Sequence, residues 1–421
     1  MYNRGLFILV CLLPCISTWA QSKKTIWWRD GLLDVSQWNF TEKKLPLCGQ
    51  WSFYDHQLYT PADRILKGKI THKIPQSWNE MDPSRGGTGF GTYRLTLGLP
   101  PASSVPELAI ELPQLYSSYI LWANDKKIAT CGTVGTTAEE TIPQWLSQVV
   151  TFKNPDDTLV LTLQIANFHH NTGGIREIIY LGTPAMLNSN RTLFITANII
   201  EVSFLILEGL IFLLIFLVWR RKKVVLYFSL LCLSWALRSA FSNLYLVTEF
   251  YPSFDWSLML RIEYIALFLT TLFSATFLHQ LFTNISNQVI KYLLIAATLF
   301  FVMLTVFSTP LVFTRWLPVY LTVSMLTIVY GAVIVIRAIV LEQKGVTFMV
   351  ISIILGLIIF GYDIFSFKEG FQYNYLIMNA GYILIFLSTS FSLLLHLNII
   401  KSKQASVLTY EDLYKNGYNS I

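Results

Sequence analysis

From residue 193 onwards the chain holds seven apolar runs, each about as long as a bilayer crossing, and this constrains its fold more than any motif. The runs cover 193–219, 224–247, 258–282, 289–307, 316–341, 346–366 and 375–400. About 20 apolar residues cross a hydrocarbon core of ~30 Å as a helix. The connections are so short that consecutive spans must be antiparallel neighbours. Before Asn190 the pattern is different: short alternating runs separated by turn formers. The sequence predicts a folded polar domain, 21–190, a seven-helix membrane unit, 191–400, and a short tail, 401–421.

Composition agrees. Of the 421 residues, 53% are hydrophobic, and the mean hydropathy of +0.50 exceeds what a soluble chain needs. The excess lies after Leu193, so the first domain can still be water-soluble. A net charge of +6 sits largely in short loops, which speaks for membrane orientation rather than nucleic-acid binding. Residues 1–20 read as a secretory signal: Arg4, an apolar core over 6–16, and small residues at Thr18 and Ala20. Cys15 raises lipidation as an alternative, but Pro14 precedes it and cleavage after Ala20 is preferred. In the exported domain a Cys48–Cys131 disulfide is chemically allowed, and two buried thiols are the plainer reading.

Charge sets the orientation. Arg220, Arg221, Lys222, Lys223, Lys291, Lys344, Lys401 and Lys403 fall on one side of the spans. Glu249, Asp255, Arg315, Lys368 and Glu369 fall on the other. The positive-inside rule puts the first domain outside the membrane and the C-terminus in the cytoplasm. Within the spans, Glu201, Arg238 and Glu263 lie at similar depth, with Glu208 two turns below Glu201, and Arg261 and Asp363 nearer the outer surface. Ionisable groups in hydrocarbon need partners. A buried Glu201–Arg238–Glu263 cluster with Glu208 beneath it is expected, either as a structural lock or as an element whose pairing switches.

The first domain reads as an all-β sandwich. Leu95, Leu97 and Leu99 alternate with smaller or polar residues, as do Leu159, Leu161, Leu163 and Ile165. Asn124–Asp125 and 154–157 supply turns. The order of four stretches is also distinctive: IPQSWN over 74–79, GTYRLTLGLP over 91–100, LAIELPQLYSSYILWANDKKIATCGTVG over 108–135 and NFHHNTGGI over 167–175. This order resembles the sugar-binding jelly roll of family 2 glycoside hydrolases. Joined to seven spans, it is similar to bacterial seven-transmembrane receptors with diverse intracellular signalling modules. The resemblance implies a jelly-roll sandwich on an all-α seven-helix bundle, binding a small-molecule or carbohydrate ligand. Such receptors continue into a coiled coil and a histidine kinase or cyclic-dinucleotide enzyme. Residues 401–421 carry neither heptads nor a catalytic motif, so the expectation is either a separate cytoplasmic partner or a truncated family member, with a homodimer or a decoy pairing also open.

Sugar recognition combines aromatic faces with planar polar groups. In the resembling stretches the candidates are Trp78, Tyr93, Trp122, His169, His170, Asn171 and Arg176. Trp78 and Trp122 are more simply read as core between the sheets, and Tyr93, on the Leu95 face, as core also. His169 and His170, read as consecutive strand residues, point to opposite faces and do not easily serve one site together, which argues against a metal centre there. The glycine-rich stretch 82–91 precedes a strand rather than a helix, so it reads as a flexible rim and not a phosphate cradle. With six histidines and no nucleophile elbow, phosphate loop or Cys-x-x-Cys pair, nothing points to catalysis or a cofactor. The leading reading is a membrane receptor; the alternative is a transporter with a substrate-capturing outer domain, against which no paired broken helices are evident.

Overall fold

The computed structural model describes residues 27–397 apart from 30, 156, 219–221, 243 and 369–373. The expected signal 1–20, the tail 401–421 and the side chains of Arg220, Arg221, Asp363, Lys368 and Glu369 lie outside the described residues. The first half is built from β1 Trp27–Arg29, β2 Leu32–Asp34, β3 Leu45–Pro46, β4 Gly49–Asp55, β5 Lys69–Ile74, β6 Gln76–Ser77, β7 Gly89–Gly98 and β8 Glu107–Leu112. It continues with β9 Ser118–Ala123, β10 Lys126–Cys131, β11 Gln148–Lys153, β12 Thr158–Asn167, β13 Gly174–Ile175 and β14 Tyr180–Gly182. One short helix, α1 Trp78–Met81, interrupts them.

Two sheets face each other. The larger runs β1-β2-β7-β12-β9-β10, with β4 paired to β7 and β5 to β4. The smaller runs β11-β8-β14-β3. The centre of the larger sheet is the long antiparallel pair β7–β12, in which Leu97 faces Leu159, Leu95 faces Leu161 and Tyr93 faces Leu163. The period-two pattern sends all of these inwards, where they are buried against Leu108, Ile110, Leu112 and Leu181 of the smaller sheet. Burying these side chains is the main stabilising term of the sandwich. Asn124 forms the β9–β10 turn with a φ of 50°, a conformation asparagine tolerates better than most residues. Cys48 and Cys131 are free thiols.

The second half consists of helices α2 Pro184–Val218, α3 Lys223–Ala240, α4 Leu246–Phe250, α5 Trp256–Leu281, α6 Gln288–Phe307, α7 Pro310–Arg315, α8 Leu317–Val340, α9 Val346–Lys368 and α10 Tyr375–His396. Six of them, α2, α3, α5, α6, α8 and α10, are long and apolar enough to cross a membrane, and α9 adds an apolar stretch over Val346–Ile359. Their outward faces carry uncovered large hydrophobics such as Leu214, Leu293, Phe300, Leu326 and Ile336. In water such surface is a liability; in lipid it is the proper solvent face. Asp255, Asn287 and Asn374 each accept a backbone N–H at the start of α5, α6 and α10. The Arg261 guanidinium donates to the carbonyls of Thr305, Val306 and Ser308, covering the end of α6.

Helix α2 starts at Pro184, nine residues before the first apolar run at 193. Only Thr183 separates β14 from α2, so the sheet feeds directly into a 35-residue helix. At 1.5 Å per residue this is roughly 50 Å, well beyond the ~30 Å hydrocarbon thickness. Its first turns pack on the sandwich, where Leu187 is fully buried. Hydropathy marks where lipid begins, not where a helix begins, and this explains the difference.

Candidate functional site

The Pro75–Trp78 stretch becomes a capped turn. Ser77 Oγ accepts from the Glu80 N–H (3.3 Å), and Glu80 Oε2 accepts from the Ser77 N–H (2.9 Å), a capping box that fixes Trp78. The Trp78 ring is fully buried, and its Nε1 donates to Tyr93 Oη at 2.7 Å. That hydroxyl also lies 2.9 Å from His72 Nδ1. Burial holds His72 well below the usual imidazole range, at about 4, so it is neutral at physiological pH. Trp78 and Tyr93 are therefore core residues joined by a polar triad.

Trp122 differs from expectation. It is half-buried, in register with Thr162 and Lys127, while its strand neighbours Leu121 and Ala123 fill the core. An even–odd count along β9 puts it on the outer face of the sheet. The 82–91 stretch is likewise not a loose rim. Arg85 donates to Asp55 Oδ1 through Nε (2.9 Å) and Nη2 (2.6 Å) and lies 4.0 Å over the Trp78 ring.

The segment 167–175 is a folded loop. β12 ends at Asn167, so His169 and His170 are not strand residues. Asn167 Nδ2 faces the carbonyls of Gly87 (2.7 Å), His170 (2.7 Å) and Thr172 (3.0 Å), pinning the loop from within. The histidines still go separate ways. His169 Nε2 lies 3.0 Å from the carbonyls of Ala138 and Thr141. His170 Nδ1 accepts from the Thr172 N–H at 2.9 Å, and burial lowers its pKa to about 4. The Gly–Gly pair is sterically required: a Cβ on Gly173 would meet Gly87 O at 2.0 Å and Trp78 Cε3 at 2.4 Å.

This loop brings the sandwich onto the helices. The Asn171 N–H donates to Thr314 Oγ1 of α7 at 3.1 Å. Gln144 Nε2 donates to the Pro252 carbonyl at 2.8 Å. Arg191 on α2 donates to Ser147 of the sandwich and to Glu249 on α4. Between these links lies an aromatic cluster drawn from both halves. Trp145 stands edge-on to Tyr116 (5.2 Å), Tyr245 (5.1 Å) and Trp256 (5.6 Å), and His170 lies 4.8 Å from Tyr116.

Polar groups line the same place. Arg176 faces the Tyr116 hydroxyl, whose pKa burial raises to about 12. Glu177, deep in the junction yet not sealed from solvent, is pushed up to about 7 by burial, against the pull of Arg176. Tyr245 Oη donates to Glu263 Oε2 at 2.9 Å, and Arg238 is the cation acting on Glu263. Among the described residues, the indole Nε1 groups of Trp145 and Trp256 are buried without a hydrogen-bond partner.

Of the seven ligand candidates, His170, Asn171 and Arg176 meet at this junction; Trp78, Tyr93, Trp122 and His169 do not. Tyr116, Trp145, Glu177, Arg191, Tyr245, Glu249 and Trp256 carried no sequence signal as partners. The expected intramembrane cluster also divides. Arg238 and Glu263 join the junction, whereas Glu201 sits with Ser239, Trp235 and Asn198. Glu208 lies deeper, accepting from Ser390 Oγ with Cys232 Sγ at 3.9 Å. Equal depth does not fix which way a helix turns its side chains, and the packing angles separate Glu201 from Arg238.

Residues 197–397 match the model of a family described as 7TM diverse intracellular signalling. This part of the chain is similar to that family. The likeness covers the bundle and the helical side of the junction, and the six long apolar helices agree with a multi-pass membrane protein. No curated protein matches the chain. Solved structures similar to part of it include the GH2 beta-galacturonidase from Eisenbergiella tayi bound to galacturonate, at 13% identity and a TM-score of 0.25. That match covers 34% of this chain and 24% of the enzyme. A beta-glucuronidase from an uncultured Clostridium sp. is 15% identical over 33% of this chain and 28% of that one, with a TM-score of 0.26. The Ruminococcus gnavus beta-glucuronidase is 12% identical over 33% of this chain and 28% of that one, also at 0.26. The chain therefore spans under a third of these structures' length, and a likeness of this extent transfers neither activity nor ligand.

Proposed function

We propose that the protein is a bacterial inner-membrane receptor whose periplasmic sandwich, a jelly roll, binds a small ligand at its junction with a seven-helix bundle. Ligand binding there repositions the bundle and passes the change to cytoplasmic signalling machinery, a kinase or a cyclic-dinucleotide enzyme. One observation carries this reading. The junction gathers aromatic rings and ionisable groups from both halves, and two buried indole donors in it have no acceptor. A buried donor without a partner costs about 1–3 kcal/mol. A ligand oxygen removes that cost, and hydroxyl groups also suit Glu177 and Arg176. Aromatic faces with planar polar groups favour a carbohydrate.

The proposed orientation is supported by charge. Lys222 and Lys344, from different loops, both act on His396 at the end of α10, the end of the bundle away from the sandwich. The test is tryptophan fluorescence of the full-length protein in detergent, titrated with a panel of mono- and oligosaccharides including uronic acids. Saturable quenching by a panel member is expected, weakened at least tenfold in Trp145→Phe and Arg176→Ala. Absence of binding across the panel sinks the carbohydrate reading; undiminished binding in both variants sinks the junction as the site.

A further inference from the structure

The ligand site at the junction has a chemical bias of its own. Its two stranded groups, Trp145 Nε1 and Trp256 Nε1, are both donors, and the two residues are 3% and 5% exposed. Among the described residues, the buried side-chain oxygens without a hydrogen bond are those of Asn198, Glu201 and Thr305, on α2 and α6. None of these belongs to the groups gathered at the junction, which is therefore short of acceptors and not of donors. A third donor stands beside the indoles. The Arg176 guanidinium is hydrogen-bonded to the Tyr116 hydroxyl. The Tyr116 ring lies 5.2 Å from Trp145, which in turn lies 5.6 Å from Trp256. Charge points the same way. Arg191 is held by Glu249, and Arg238 acts on Glu263. Arg176 is exposed, and the carboxyl next to it, Glu177, is raised to about 7 by burial, so it keeps its proton in mildly acidic solution. Glu111, the carboxylate beyond, is bonded to Lys44 at 3.1 Å. In that pH range the charge of Arg176 is not cancelled by its acidic neighbour.

Resting on the junction as the ligand site, we propose that its ligand is an anion, held by its carboxylate between Arg176 and the indole N–H groups of Trp145 and Trp256. An ionised carboxylate only accepts, offering about four lone-pair sites on its two oxygens. It also takes a guanidinium through two parallel hydrogen bonds, the strongest geometry open to this pair. A hydroxyl satisfies a stranded N–H as well, but it brings a proton that needs an acceptor in turn. A donor surplus with no matching acceptor surplus therefore selects the carboxylate. An acidic sugar and an organic acid without a sugar ring share this chemistry. The rings of Tyr116, Trp145 and Trp256 supply apolar faces for the body of either.

The experiment is isothermal titration calorimetry of the full-length protein in nanodiscs at pH 6, where Glu177 keeps its proton. The probes are glucose and glucuronate, galactose and galacturonate, and two acids without a sugar ring, succinate and benzoate. A carboxylate probe is expected to bind about tenfold or more tighter than either neutral sugar. Binding confined to the uronates identifies an acidic sugar; binding by succinate or benzoate as well shows that the carboxylate is sufficient. Arg176→Gln, at an exposed position, should erase the preference for acids, and Arg176→Lys, which keeps the charge, should retain part of it. Neutral sugars bound as tightly as the acids would overturn the anionic ligand, and loss of that binding in Trp145→Phe would leave the junction standing as the site. Acid binding unchanged in both Arg176→Gln and Trp145→Phe would overturn the proposal too. No binding by any probe overturns it together with the carbohydrate reading.

Discussion

Trp145 and Trp256 meet edge to face across the junction, 5.6 Å between ring centroids, the first on a loop of the sandwich and the second in the first turn of α5. Each is nearly fully buried. An aromatic pair of this geometry is worth about 0.5–1.5 kcal/mol beyond the area it buries. The two halves of the molecule therefore share a core at their boundary, in addition to the direct passage from β14 into α2. A movement in the sandwich cannot leave the helix ends that pack on it undisturbed.

Arg191 is the polar counterpart of that contact. It holds Ser147 of the sandwich and Glu249 of α4 at once, with both charged side chains mostly shielded from solvent. Hydrogen bonds to a charged group in such a setting are worth about 1.5–3 kcal/mol. Arg191→Ala is expected to lower the unfolding midpoint and, more tellingly, to speed hydrogen exchange in α4 and in the loop around Ser147. A double-mutant cycle with Glu249→Gln should show coupling between the two positions. Additive effects would mean that the Arg191–Glu249 link adds no stability.

Much of the architecture was readable in the chain, for identifiable reasons. Lipid demands long apolar helices, so six of the seven apolar runs fall on helices long and apolar enough to cross, while the seventh, 346–366, overlaps an apolar stretch that is shorter over the described residues; a sandwich demands alternation, so Leu95, Leu97, Leu161 and Leu163 declared their faces. Trp122 was misplaced because its neighbours' alternation, rather than its own apolarity, decides its side of β9. The junction was mostly hidden. Trp145 and Trp256 are remote in sequence and acquire meaning only when the sandwich docks. The division of Glu201 from Arg238 depends on rotation about helix axes, which hydropathy does not report. His170 and Arg176 were accessible to sequence reading because a turn-rich segment after a long strand is where a sandwich presents side chains.

Tyr93 tests the reading of the sandwich core. Its hydroxyl accepts from Trp78 Nε1 and contacts His72 Nδ1, and all three residues are buried. Tyr93→Phe keeps the ring and its packing but strands two nitrogens in apolar surroundings. At about 1–3 kcal/mol for each stranded group, the variant should be clearly destabilised in thermal or denaturant unfolding, while Tyr93→Phe with Trp78→Phe should recover part of the loss. A single variant as stable as the parent would show that the triad does not stabilise the core.

Glu177 gives the junction a pH dependence of definite sign. Its carboxyl is raised from 4.5 to about 7, chiefly by burial, with Glu111 adding to the rise and Arg176 opposing it. The folded state thus prefers the proton. Below about pH 4.5 the group is protonated whether folded or unfolded and costs nothing; as pH rises from 4.5 towards 7 the unfolded chain ionises while the folded one keeps its proton, and stability is lost until the folded group ionises as well. His170, held down at about 4 by burial, works in the opposite direction, costing stability as pH falls from 6.5 towards 4. Glu177→Gln removes only the first effect. Its melting point should match that of the parent at pH 4 and exceed it at pH 8, with the difference opening between pH 5 and 7. A constant offset across that whole range would show that Glu177 is not held protonated by the junction.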